Sequence, residues 1–567
     1  MHDTNHSNPW QDAENWLGLP RANGVNQATI CLDNHPAEVM QREALRWLGQ
    51  YGEREHYSFE ELSRLSNQFA NVLTQLGVQP SDRVFVFLER IPELYVSVFG
   101  ALKVQAIVGP LFSAFGPEAI LDRLADCEAS IVITSPALKP RIDAIRDQLP
   151  SLKYVLVVNR HAQTRMEQAS SALRFDNDLS FEQRMDVAST TFTVPDTAAD
   201  TKSVIHYTSG TTGKPKGAVH CHGAVVAQSA TARVVLDLDR NRDLYWCTAD
   251  PGWVTGTSYG IFGPWSLGVT QLVYEGGFSA QDWYQILQNE GVTVWYTAPT
   301  AIRMLMKAGD KLAKMFNFST LRHLASVGEP LNPEAIAWGE RIFLGKQFHD
   351  TWWQTETGAM QIVNRPGLSI KPGAMGKPFP GVEAAILDDR HQPVPPKTEG
   401  HLVLKPSAPS FFLEYWRRPD VTASKFKAGW YFTGDRAWQD EEGYFWFVGR
   451  DDDVINTAGH LVGPFEVESA LIEHPAVAEA AVIGKPNPER LEIVKAFVSL
   501  KTGYEASDSL CKDIQQFVRS RLAAHAYPRE IDFLPSLPKT RSGKLMRRLL
   551  KARELGLPEG DTSTLED

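Results

Sequence analysis

Between residues 58 and 77 the apolar positions recur at helical spacing. Phe59, Leu62, Leu65, Phe69, Leu73 and Leu76 fall on one face of a 3.6-residue period. Ser58 with Glu61 three positions later has the form of a capping box, and Gly77 closes the run. The spacing therefore predicts an amphipathic helix. The pattern then changes to short continuous apolar runs: "RVFVFL" (83–88), "AIVGPL" (106–111), "SIVIT" (130–134) and "YVLVV" (154–158). Helical stretches separate them, one near 92–103. Strands alternating with helices at this spacing predict parallel α/β layers. Residues 160–200 are polar and read as a loop-rich connection.

After residue 400 the segments "GHLVLKPS", "GWYFTGDRAW" and "GYFWFVGR" are short, aromatic and punctuated by glycine. They predict a small antiparallel, barrel-like β subdomain over about 365–450. "GRDDDVIN" (449–456) is a polar break. Beyond it a helix is expected near 465–473, strands at 477–484 and 494–500, a helix at 507–523, and a basic tail. The boundary is placed at 450–452, giving a large N-terminal domain (1–450) and a small α+β C-terminal domain (451–567).

The 567 residues are 43% hydrophobic and 22% charged, with a net charge of −11. That balance argues against a general nucleic-acid binder but not against an anionic ligand held by local loops. Cys31, Cys127, Cys221, Cys247 and Cys511 are scattered, without CxxC or metal-ligand spacing, as expected of reduced thiols. The start is polar and lacks an apolar signal core, and no apolar run approaches the ~18 residues of a membrane span. A cytoplasmic protein without membrane association is expected.

One stretch changes the picture. "YTSGTTGKPKG" (207–217) packs glycines, hydroxyls and lysines behind an apolar run. It is not a Walker A loop, since Pro215 follows Gly213-Lys214 and Thr208 stands where the first glycine would be. Exposed backbone N–H groups and hydroxyls still suit phosphate oxygens. Taken alone, such a stretch reads first as a flexible surface turn.

The stretch resembles the signature loop of the adenylate-forming superfamily of acyl-CoA synthetases, luciferases and peptide-synthetase adenylation domains. Further blocks stand in that family's order: "SVGEPLNP" (326–333), "DTWWQTETG" (350–358), "YFTGDRAW" (431–438), "GRDDDVINTAGH" (449–460) and "LPKTRSGKLMRR" (537–548). The resemblance spans roughly residues 40 to 552. It implies the family's fold, with a C-terminal domain that rotates between adenylation and thioester formation about a hinge at Asp452. It implies ATP, Mg2+ and CoA as ligands. ATP would contact Thr208, Ser209, Gly210, Thr211, Thr212, Gly213 and Lys214 of the loop, and Gly328, Glu329 and Pro330 of the adenine turn. It would also meet Asp350, Thr351, Trp352, Gln354 and Thr355, with Asp435 on the ribose and Arg450 on ribose or phosphates. Glu356 and Thr211 would serve the metal, Lys544 would be catalytic, and Ala458, Gly459, His460 and Arg519 would lie toward CoA.

The residue types suit those roles. Adenylation joins two anions, so a mobile lysine such as Lys544 can stabilise the charge that develops. A carboxylate in a Thr-Glu-Thr-Gly turn can hold Mg2+ across phosphates. As bare residues, Lys544 also fits a solvated basic tail, Glu356 a helix cap, Asp435 a turn, Arg450 an ion pair and Arg519 a solvated helix face.

For the acid, Trp253, Val254, Thr255, Val327 and Trp353 match the acetate-specific branch of the superfamily. Branches that take longer acids tend to carry glycine at the Trp353 position, so tryptophan there would fill the space of a longer chain. Trp353 as a plain core residue remains the alternative. Propionate, a branched or hydroxy acid is the rival substrate, and a nucleotide-binding relative without turnover is the rival function. The chain departs from the family at Leu461, where an arginine usually reaches the phosphates, at Ala458, often serine, and at Thr257, often histidine in the acetate branch. "TRSGK" resembles sites of reversible lysine acetylation, which implies an acetyltransferase and deacetylase acting on Lys544. A monomer or small homo-oligomer is expected.

Overall fold

In this computed structural model the described residues are 8–19, 24–160, 173–208, 214–457, 460–488, 490–522, 526–540, 545–559, 562 and 565. The helix Phe59–Gln75 forms as its pattern predicts. Ser58 Oγ accepts from Glu61 N over 3.1 Å, and Glu61 Oε2 accepts from Ser58 N over 2.8 Å. Its buried face, Phe59, Leu62, Phe69 and Leu73, packs on the helix Pro92–Lys103, which is buried along its length.

These helices cover an eight-stranded sheet. Its order runs Glu414–Tyr415, Lys216–Cys221, Lys202–Thr208, Ile107–Pro110, Arg83–Phe87, Ile131–Thr134, Tyr154–Val157, Asp178–Ser180. The pairings from Lys202–Thr208 to Asp178–Ser180 are parallel. The 160–200 stretch is less irregular than its polarity suggested. Asp178–Ser180 is an edge strand, and the helix Phe181–Asp186 follows, capped by Ser180. Its polar residues are recruited by tertiary contact: Asp178 pairs with Arg146 and Lys139.

The second sheet has fourteen strands. Leu244–Cys247, Thr270–Tyr274, Val294–Thr297, His323–Val327 and Phe348–Trp352 pair in parallel. At Ile362–Val363 the chain reverses, and pairing passes through Ala374–Pro378 into the antiparallel strands Phe445–Arg450, Trp430–Gln439, Gly400–Leu404 and Ala384–Leu387. The antiparallel subdomain is thus hydrogen-bonded to the parallel layer, which brings Asp435 beside the end of Phe348–Trp352.

Beyond Arg450 a turn leads into a separate five-stranded sheet built on the long hairpin Val477–Asn487 and Leu491–Leu500. The helices Pro464–Glu473 and Asp508–Arg521 cover it, and Val467, Leu471, Val482, Val498, Ile514 and Val518 form its own core. Asn332 Nδ2 donates to Ser469 Oγ over 2.8 Å across the two parts. The five cysteines are free, and burial pushes the thiols of Cys127 and Cys247 up to about 12 and about 11. No helix among the described residues is long and apolar enough to cross a membrane.

Candidate active site

The strands on either side of the glycine-rich stretch pair antiparallel. Strand Lys202–Thr208 enters it, and Lys216–Cys221 returns antiparallel, with Thr208 opposite Lys216 and Tyr207 opposite Gly217. A Walker A loop would end in a helix, so the departure noted at Pro215 has a structural counterpart. Residues 209–213, with Ser209, Gly210, Thr211, Thr212 and Gly213, lie outside the described residues. Lys214 is exposed, 4.0 Å from Asp122.

Phe348–Trp352 delivers the next block. Asp350 is buried, which pushes its carboxyl up to about 8 despite a 3.0 Å hydrogen bond from Thr351 N. A neutral carboxyl there can donate a hydrogen bond. Thr351 Oγ1 donates to Ser326 O at 2.8 Å. Trp352 Nε1 and Gln354 Nε2 each donate to Asp435 Oδ2 at 3.1 Å, and Arg450 Nη1 lies 3.3 Å from Asp435 Oδ1. Gln354 is itself fixed by donation to Thr433 O and by acceptance from Tyr431 OH, each over 3.0 Å. Burial acts to lower the Arg450 pKa, and Asp435, Asp452 and Glu356 outweigh it, so the guanidinium stays charged.

Thr355 and Glu356 sit on a single 3-10 turn ended by Gly358 at φ +64°, where a Cβ would meet Ser410 O at 2.4 Å. Only glycine fits that approach. Tyr415 OH donates to Glu356 Oε1 at 2.6 Å.

The turn after His323–Val327 places Gly328 at φ +99°. Thr300 Oγ1 donates to Glu329 Oε1 over 2.5 Å, and Arg303 Nη2 to Glu329 Oε2 over 2.6 Å. Glu329, Pro330, Arg303 and Asn332 line a cleft with Glu468, Lys539 and Leu545 of the C-terminal part. Lys544 lies outside the described residues. Lys539 and Leu545, which flank it in the sequence, form an antiparallel bridge, and both line that cleft.

On the acid side, Val254, Val327 and Trp353 share one apolar cluster with Tyr259 and Tyr296. Trp353 is 9% exposed. Its ring meets Tyr259 edge-on at 5.2 Å, and its Nε1 donates to Tyr296 OH at 3.4 Å. Thr255 is half-buried on the short helix Val254–Thr257. Trp253 is set apart from that cluster, packed on Phe112 and Phe115 with centroids at 5.7 and 5.8 Å. Thr257, where related chains often carry histidine, is met by the buried His206 from the loop's leading strand, Nε2 to Oγ1 2.7 Å.

Arg519 is exposed and lies over the Tyr527 ring at 5.5 Å. Asp452 occupies the turn after Arg450. Ala458, Gly459 and the side chains of His460 and Leu461 lie outside the described residues.

Sequence reasoning missed Tyr415, His206, Lys425, Thr300 and Arg303. The last two stand in "YTAPTAIRML" (296–305), where the match to the family was visible. Tyr415 and Lys425 carry no local signal. Tyr415 reaches Glu356 from the edge strand that pairs with Lys216–Cys221, and Lys425 reaches Arg450 through the antiparallel subdomain.

The AMP-binding enzyme family matches residues 32–416, and its C-terminal domain matches residues 466–544. An acetyl-coenzyme A synthetase of Bacillus subtilis is 49% identical, covering 98% of this chain and 96% of its own. Among solved structures, a Brucella canis acyl-CoA synthetase aligns with a TM-score of 0.74 at 36% identity, over 96% of this chain and 97% of that one. An anthranilate CoA ligase in complex with anthranoyl-AMP aligns with a TM-score of 0.85 at 30% identity, over 95% and 99%.

Proposed function

The chain belongs to the AMP-binding enzyme family, and from that premise we propose that it is an AMP-forming acetate–CoA ligase. A carboxylate oxygen of acetate attacks the α-phosphorus of ATP. The bond to the bridging oxygen breaks, and pyrophosphate leaves. The CoA sulfur then attacks the acyl carbon of acetyl-AMP, its thiol proton passes to solvent, and AMP departs.

The chain's residues divide this work. Asp435, held by Trp352, Gln354 and Arg450, accepts hydrogen bonds from the ribose hydroxyls. Arg450 retains its charge beside it and balances phosphate. Lys544 stabilises the charge that develops on the reacting phosphate and carboxylate. Glu356 fits a divalent cation, because its Oε1 is held in place by Tyr415 and a half-buried carboxylate is a suitable hard donor. Mg2+ bound there with ATP would neutralise phosphate charge. Asp452 serves as the hinge for the rotation that exchanges the two half-reactions.

The preference for acetate rests on Trp353. Its ring is wedged against Tyr259 and Tyr296 among Val254 and Val327, and a packed indole cannot yield space to a longer chain without a large rearrangement. The aromatic-acid ligase of similar fold shows that the scaffold itself does not set acid size.

Pyrophosphate release with Mg·ATP, with and without CoA, across acetate, propionate, butyrate and benzoate tests the reading. CoA-stimulated release peaking at acetate is expected. A peak at another acid would overturn the role given to Trp353. Absence of release with every acid, in folded protein, would overturn the ligase assignment.

A further inference from the structure

Among the described residues, the carboxylates of the nucleotide site are held by neighbours, whereas no hydrogen bond or ion pair is found for the Lys425 ammonium. Glu356 is held by Tyr415, and Asp435 by Trp352, Gln354 and Arg450. Lys425 is half-buried just before the strand Phe426–Lys427. Its neighbours tie it by backbone alone, through Thr422 O and Phe432 N. Its ammonium and the Arg450 guanidinium converge over the bare Cα of Gly434. There Lys425 Nζ and Arg450 Nη2 lie 3.9 and 3.7 Å from where a Cβ would stand.

The charges around Lys425 act through space. Burial lowers its pKa first, Glu356 and Asp435 raise it, and Arg450 and Lys216 lower it again. A half-buried ammonium beside two further cations is costly unless an anion completes the group. Its place at Gly434 beside Arg450, a residue the reading above gives to phosphate, is what sets Lys425 toward the phosphates. Meanwhile the chain carries Leu461 where its family usually supplies an arginine to the phosphates.

We infer that Lys425 is a polyphosphate-binding residue of the nucleotide site, supplying from the antiparallel subdomain the positive charge that Leu461 cannot. The inference rests on the adenylate-forming reading above. It adds a cation to the phosphate clamp from a segment outside the loop, the turns and the tail that carry the other contacts. A lysine fits because a compact ammonium on a flexible stem can follow the phosphates as pyrophosphate departs.

The test measures direct binding of Mg·ATP and of AMP, without acid, to the whole protein and to Lys425→Met, Lys425→Gln and Lys425→Arg. The methionine keeps the aliphatic stem and removes the charge. Loss of a charge-assisted phosphate contact is expected to weaken Mg·ATP about ten- to a hundredfold. AMP affinity should change far less, and arginine should restore most of the loss. In turnover, KM for ATP should rise while KM for acetate, and thioester formation from supplied acetyl-AMP, stay near wild type. Equal weakening of ATP and AMP, or none in either neutral variant, would overturn the inference. Because binding is read without turnover, failure of the wild-type protein to activate any acid would refute the ligase reading and leave this comparison intact.

Discussion

Tyr415 OH donates to Glu356 Oε1 across 2.6 Å, joining residues 59 positions apart at the point where a metal-bound phosphate would lie. The phenol fixes the carboxylate's rotamer. Tyr415→Phe should keep the fold and raise KM for Mg·ATP about ten- to a hundredfold, the worth of one hydrogen bond to a charged group. Glu356→Ala should lower pyrophosphate release far more, and excess Mg2+ should partly rescue Tyr415→Phe but not Glu356→Ala. Steady-state kinetics at varied Mg2+ read both.

Trp353→Gly is expected to move the acid preference upward. Relative kcat/KM for butyrate over acetate should rise about 10- to 200-fold, the range one or two methylenes command in an apolar pocket. The indole also packs on Tyr259 and Tyr296, so the same variant should lose about 3–5 kcal/mol of stability. Denaturant unfolding beside the acid panel separates the two effects. An unchanged acid profile with lowered stability would mark Trp353 as a core residue only.

Lys544→Ala should abolish adenylation, by about a hundredfold or more, while leaving acetyl transfer from supplied acetyl-AMP to CoA. Acetylation of the same amine removes the same charge and should give the same split. Intact mass paired with the two half-reaction assays checks this, and loss of both half-reactions together would contradict the division of labour.

The pH dependence of stability has an assigned contributor. His222 is fully buried, its Nδ1 accepts from Gln27 N at 3.1 Å, and burial lowers its pKa to about 3. The folded pKa is below the unfolded value, so the native state excludes a proton that the unfolded chain takes up. The contribution is present above about pH 6.5 and is lost as the pH falls toward 3, at about 1.4 kcal/mol per unit. His222→Gln should flatten the fall in unfolding free energy between pH 6 and 4 by about one proton. Denaturant midpoints at stepped pH read the difference.

What the sequence determined by itself is local. The capping box at Ser58 and Glu61, the apolar period behind it and the short strand runs are set by neighbours in the chain, and they form where the pattern places them. The adenylate-forming blocks were legible for the same reason, since each motif is a contiguous run in the sequence. The tertiary structure alone decided which distant residues serve those motifs. Tyr415 meets Glu356, Trp352 meets Asp435 across 83 positions, His206 meets Thr257, and Lys425 comes beside Arg450. None of these pairs shares a period or a turn. The contacts of Asp435 and Lys425 exist because the sheet reverses at Ile362–Val363 and carries the antiparallel subdomain onto the parallel strands, whereas Tyr415 arrives on the edge strand beside Lys216–Cys221, and His206 lies on the strand Lys202–Thr208 of that same sheet. The polar edge strand at Asp178–Ser180 escaped notice for the same reason: ion pairs with Arg146 and Lys139, not apolar alternation, hold it in place.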